Sequence, residues 1–235
     1  MAAVKGETVT HILITHTHID HCGCAHALAD RTGAPIFAFS AHPVREKTLD
    51  APALDEGADY RFTPDEKIRH GEILEGPDWR LEAVHTPGHL SNHLCFAMPQ
   101  QKALFTGDHI MGWATTVVAP PDGDMTAYIE SLDLLLGRDD EIYYPTHGAP
   151  IKNPHRFVRA VRTHRLMRDA QIVEQLKKGR ASIKEITKAM YADIDKRLHG
   201  AAAMNVLAHL IRLVRMGKVT CDGEPGIKSV FRIVE

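Results

Sequence analysis

The chain has 235 residues, 44% hydrophobic and 25% charged, a globular mix and not a disordered or fibrous one. At about 100–200 residues per domain, this length allows one or two domains. The net charge of −2 singles out no partner, yet residues 1–154 carry 11 Lys and Arg against 22 Asp and Glu, while residues 155–235 carry 17 against 8. An acidic front with a basic tail predicts two units with different tasks. No run approaches the roughly 18 apolar residues of a membrane span, and Met1–Thr10 lacks the apolar core of a secretion signal. Four scattered cysteines form no disulfide framework. The expectation is a cytoplasmic protein with no membrane contact, and its sixteen histidines direct attention to metal or acid–base chemistry.

In chain order, Val9–Ile14 predicts a buried strand that runs into Thr15-His16-Thr17-His18-Ile19-Asp20-His21. Residues 23–32 predict a helix stopped at Gly33, and residues 35–39 a second strand. The histidines thus stand on the loop after a strand, the crevice where open α/β layers bind ligands. Residues 79–85 predict a strand ending in the turn Thr86-Pro87-Gly88-His89. Residues 93–98 and 102–106 predict a hairpin followed by Gly107-Asp108, and residues 141–144 a strand followed by Pro145-Thr146-His147-Gly148. A His or Asp recurs just after each strand end, which is a rigid way to hold a site.

After Pro154 the pattern turns helical. Residues 155–178 predict a long helix, Ser182 with Glu185 a capping box that opens a second, and residues 201–216 a third closed by Gly217. Short strands at 218–220 and 230–233 complete a winged helix-turn-helix. The predicted organisation is a catalytic unit over residues 1–153 and a winged-helix unit over residues 154–235.

The segment His16-x-His18-x-Asp20-His21 places four ligands in six residues. Alternate side chains of an extended backbone face the same way, so His16 and His18 can share a metal. Asp20 and His21, past the bend, can face a neighbouring one. Imidazole and carboxylate at this density suit zinc, with iron or manganese also compatible.

These motifs in this order, with Thr86-Pro87-Gly88-His89, Thr106-Gly107-Asp108 and His147-Gly148, resemble the metallo-β-lactamase superfamily of binuclear metal hydrolases, in the branch with a C-terminal winged helix. The resemblance implies an α/β fold: an αββα sandwich, here lacking its N-terminal strands because the first motif begins at residue 16, followed by a small winged-helix domain. It implies two divalent metals per chain, one held by His16, His18 and His89 and the other by Asp20, His21 and His147, with Asp108 bridging. A hydroxide held between the metals would attack the substrate, and Asp20 would orient it. The substrate stays open, between a small molecule and RNA. Within enzymes the alternatives are an endoribonuclease and a thioester hydrolase. A non-catalytic, zinc-containing nucleic-acid-binding module is the alternative of another class, though structural zinc needs only four protein ligands and no bridge.

Remaining candidates have plainer readings. Cys22 and Cys24 flank the cluster, but free cysteine is commonly a small buried hydrophobe. His85 and His93 read as hydrogen-bonded strand residues, and His109, beside Asp108, as a candidate pocket residue. His155, His164, His199 and His209 read as surface or packing residues of the tail. Arg156, Arg159, Arg162, Arg165 and Arg168 wind around the long helix as a ribbon. It reads either as a solvated surface with local pairs such as Arg165 to Asp169, or as a phosphate track for nucleic acid. An acidic-domain contact or a homodimer interface is a further use for that face.

Overall fold

The computed structural model describes residues 5–43, 57–193 and 195–234. The chain begins as a strand–helix–strand unit. Strand β1 (Ile12–Leu13) leads through the single turn α1 (Ile19–Cys22) and helix α2 (Ala25–Thr32) to β2 (Ile36–Ala38). Gly33 ends α2 in the left-handed conformation with φ of 72°, a backbone state that glycine adopts at no steric cost. β2 then pairs with β3 (Glu66–Lys67), so the first sheet has the parallel order β1-β2-β3.

The second sheet has the order β4-β5-β6-β7-β8, formed by Ile73–Glu75, Arg80–His85, Leu94–Met98, Ala103–Gly107 and Ile142–Pro145. Its first three pairings are antiparallel, and β7 meets β8 in parallel across the crossover helix α3 (Met125–Leu136). The two-residue period of its central strands separates two cores. Ala83, Leu94 and Phe96 face inward with Leu13, Phe37 and Phe39 of the first sheet. Val84, Cys95, Ala97 and Leu104 face outward onto Tyr128, Leu132 and Leu135 of α3 and Val158 and Val161 of α4 (Pro154–Lys177). On the far side, Cys22 and Ala25 pack over Ile12 and Ile36. Helix, sheet, sheet and helix are therefore stacked as the sandwich expected from the sequence.

The tail has the expected winged-helix form. Helix α5 (Ile183–Met190) opens with both halves of the Ser182–Glu185 capping box, α6 (His199–Arg215) follows, and β9 (Val219–Cys221) pairs antiparallel with β10 (Phe231–Ile233). Helix α4 belongs to two cores: beyond Val158 and Val161, its Ile172 and Leu176 pack with Ile186, Leu207, Leu210 and Phe231. No helix among the described residues is long and apolar enough to cross a membrane.

Several elements depart from the sequence reading. The residues after His18 coil into α1 where a loop bend was expected, and β3, β4 and α3 had no predicted counterpart. The Arg ribbon is interrupted at two of its five positions. Arg165 is buried, and Arg162 is held by the Asp133 carboxylate on α3. The expected Arg165–Asp169 pair is replaced by Asp169 bonding to His209 and Arg212, because Arg165 turns toward the sandwich instead of along its own helix.

Candidate metal centre

The rings of His16 and His18 are brought together at the end of β1. Thr17 between them is buried and bonded to His42 Nδ1 at 2.8 Å and Asn92 Nδ2 at 3.0 Å, so its two neighbours in the chain turn to the opposite side. Helix α1 then brings Asp20 and His21 to the same cluster. The turn after β5 supplies His89, the end of β7 Asp108, and the end of β8 His147. All seven residues predicted from the sequence converge, although they come from four separate strand ends.

They form a first group of His16, His18 and His89 and a second of Asp20, His21 and His147, with a third of His16, His21 and Asp108 joining the two. His16 Nε2 and His89 Nε2 each lie 3.1 Å from His18 Nδ1. A single His18 proton satisfies at most one of these contacts. A tetrahedral cation with bonds of about 2.0–2.1 Å to nitrogen spaces its ligands by roughly 3.3 Å, close to what these rings present. In the second group, Asp20 Oδ2 lies 3.3 Å from both His21 Nε2 and His147 Nε2. Asp108 Oδ1 lies 3.5 Å from the first of these nitrogens and 3.6 Å from the second. His21 Nε2 is buried without a hydrogen-bond partner, as an atom reserved for a cation would be. The other oxygen of Asp108 turns to the first group, 3.9 Å from His89 Nε2. One carboxylate thus faces both groups.

Electrostatics prepares these groups for a cation. Burial, reinforced by neighbouring rings, lowers the pKa of His16, takes that of His18 to about 4, and lowers that of His89. Their lone pairs are therefore free at neutral pH. Burial raises the pKa of Asp108, but the His21 ring and the Thr146 hydroxyl beside it outweigh this and hold its carboxyl well below the usual carboxylate range. His89 Nδ1 donates to the Val117 carbonyl at 2.7 Å, which leaves Nε2 with a lone pair free for a cation.

Several supporting residues had escaped the sequence reading. Thr146 Oγ1 donates to Asp108 Oδ1 at 2.6 Å; its position beside His147 was the available signal. His93 is buried under Asp108, with Nδ1 on the Thr86 hydroxyl and Nε2 accepting the Asp108 amide at 3.1 Å. That approach needs Gly107, where a Cβ would stand 2.6 Å from His93 Nε2. His85 bonds to the Ser91 carbonyl and stacks on Phe39, as expected of a strand residue. His109 is not a pocket residue: it is fully buried behind Asp108, with its ring against Tyr128. Cys22 is buried, and burial pushes its thiol up to about 11, which makes it an inert packing group.

Residues 1–147 match the metallo-beta-lactamase superfamily, and residues 182–227 match the beta-lactamase associated winged helix domain. The chain belongs to the metallo-β-lactamase superfamily. An atrochrysone carboxyl ACP thioesterase of Aspergillus chevalieri is 27% identical over 231 residues, spanning 93% of this chain and 67% of that protein. The lactamase-like protein nscB of Aspergillus fumigatus is 30% identical over 249 residues, spanning 96% of this chain and 68% of its own length. A metallo-beta-lactamase family protein from Thermus thermophilus has the same fold, with a TM-score of 0.78 over 99% of this chain and 83% of the other at 21% identity. The chain is therefore a hydrolase of a superfamily that typically binds divalent metals, with a His/Asp cluster suited to holding them.

Proposed function

We propose that this metallo-β-lactamase-superfamily chain holds two divalent cations and hydrolyses the thioester of an acyl group. Asp108 carries the reading, because its two oxygens face different ligand groups. His16, His18 and His89 would hold one cation and Asp20, His21 and His147 the other, with zinc favoured by the ligands and iron or manganese compatible. When bound, two such cations would supply a water acidic enough to act as a nucleophile at neutral pH. Asp20, whose side chain is 62% exposed, stands on the open side, where it orients the incoming water. Thr146 holds the Asp108 carboxylate and His93 its backbone amide, so this side chain does not have to be ordered when substrate arrives.

Two observations favour an acyl thioester over RNA. Apolar side chains are exposed beside the candidate ligands, with Ile19 next to Asp20 55% accessible and, on the loop after Asp108, Trp113 74% and Val117 39%, side chains suited to meeting an acyl chain. The basic ribbon that would track phosphates is broken at Arg162 and Arg165. The thioesterase named among the relatives agrees with this choice.

The test combines metal analysis with a substrate panel of acyl thioesters, simple esters and RNA, assayed with zinc and with manganese. Two metals per chain and thioester cleavage are expected. Asp108→Ala should lose the second metal and nearly all activity, since two dications would then face each other without a shared anion. Full two-metal occupancy in that variant, or RNA cleavage without thioester cleavage, would overturn the proposal.

A further inference from the structure

We propose that Arg165, on the helix that links the sandwich to the winged helix, is a positioning residue for the metal centre. Its side chain is buried, yet no carboxylate among the described residues pairs with it, and its Nε has no partner. Burying a guanidinium without an anion is expensive, and packing alone would be served better by an apolar residue. Its remaining contacts are specific. One terminal nitrogen donates to the Thr116 carbonyl, the other to Asn205 Oδ1 of α6 at 3.3 Å, and its Cζ lies 5.1 Å from the centre of the Tyr128 ring.

The contacts on the sandwich side lead to the backbone of Asp108 and of its neighbour His109. The Thr116 hydroxyl reaches the Asp108 carbonyl at 2.5 Å and the His109 carbonyl at 3.1 Å. Tyr128, beneath the guanidinium, donates to the same His109 carbonyl at 2.9 Å. The next residue, Val117, accepts the His89 ring proton, and at the other end of this loop the Gly112 amide bonds to the His147 carbonyl at 2.8 Å. Loop 112–117 is therefore tied to His147, Asp108 and His89, and Arg165 anchors it from the opposite side. Groups that orient ligands in this way typically change metal affinity about 10–100-fold when removed. The winged-helix unit would thus act on the site through α4, without touching a cation.

This inference rests on the two-cation reading, and zinc affinity measured by competition with a chromophoric chelator tests both. The variants are Arg165→Gln, Thr116→Val and the two combined, alongside Arg162→Gln, which breaks a surface pair on the same helix without touching the loop. Each is also melted thermally, so that loss of fold is separated from loss of metal. Arg165→Gln and Thr116→Val should each weaken zinc binding about 10-fold or more. The double variant should lose less than the product of the two, because both act on one loop. Arg162→Gln should keep wild-type affinity even where its melting point falls. If Arg165→Gln does not fold, Asn205→Ala, which removes the Oδ1 that holds the guanidinium, takes its place and should likewise weaken zinc binding. Two zincs bound at wild-type affinity in the folded variants, or an equal loss in Arg162→Gln, would overturn the role of Arg165. A wild-type chain that binds no metal would overturn the two-cation reading as well.

Discussion

The histidines of the first ligand group are neutral because they are buried, and this gives the metal-free protein a defined acid sensitivity. The folded pKa of His18, about 4, lies below the unfolded value of about 6.5, and those of His16 and His89 are displaced the same way. A lowered imidazole pKa favours the deprotonated folded state. Its contribution is complete above about pH 6.5 and is lost as the pH falls toward the folded value. Asp108 has the opposite dependence on charge but the same direction in pH: its depressed pKa contributes until the pH falls below the carboxylate range, so it leaves the interval from about 6.5 to about 5 to the histidines. With metal removed by chelator, the urea midpoint should therefore begin to fall near about pH 6.5 and keep falling to about pH 5. A midpoint that stays level across that interval would mean the rings are solvated in the metal-free state.

Elements show where the sequence could and could not be read. The site was readable because its seven candidate ligands occupy short strand-end motifs, and His, Asp and Gly at such spacings have few other uses. Helix α3 was readable too, and was missed: Met125, Tyr128, Ile129, Leu132 and Leu135 form a buried helical stripe, with Asp124 before them as a capping residue. Strands β3 and β4 were not readable, since they are two and three residues long with mostly exposed side chains and carry no alternation. Arg165 was hidden for a different reason. A three-residue spacing fixes how a helix winds but not which turn meets a loop of another unit. The α3 cap offers a direct measurement. Asp124 Oδ1 accepts the amides of Thr126 at 2.8 Å and Ala127 at 3.1 Å, while its other oxygen meets Arg215, whose side chain is 57% exposed. A pair so exposed contributes little, and the cap should dominate. Asp124→Ala should cost about 1 kcal/mol, within the usual range of about 0.5–2 for a lost cap, and Asp124→Asn, which still accepts, much less. Equal losses in urea denaturation would assign the stability to the ion pair instead.

For the whole molecule, the decisive element is α4, whose first half packs on the sandwich and whose second half packs in the winged helix. The two cores share one rigid rod, and Arg165 joins the rod to the loop beneath the ligands. Unfolding either core would expose half of α4, so the chain should melt as one cooperative unit despite its two-part organisation. Metal binding makes this testable. A cation that binds only the folded state stabilises it by about 2.7 kcal/mol when free metal is about 100 times its dissociation constant. For a chain of this size, each kcal/mol raises the melting temperature by roughly 2–4 °C, so each zinc bound should raise it by roughly 5–11 °C. Two probes view different parts of the molecule. Both tryptophans, Trp79 and Trp113, precede α4, whereas α4, α5 and α6 contain most of the helical residues. Tryptophan fluorescence therefore follows the sandwich, and circular dichroism at the helix band follows mainly the tail. With zinc, both transitions should coincide and move upward together. If fluorescence shifts while the helical signal melts at its metal-free temperature, the winged helix unfolds on its own, and stabilisation at the metal centre does not pass through α4.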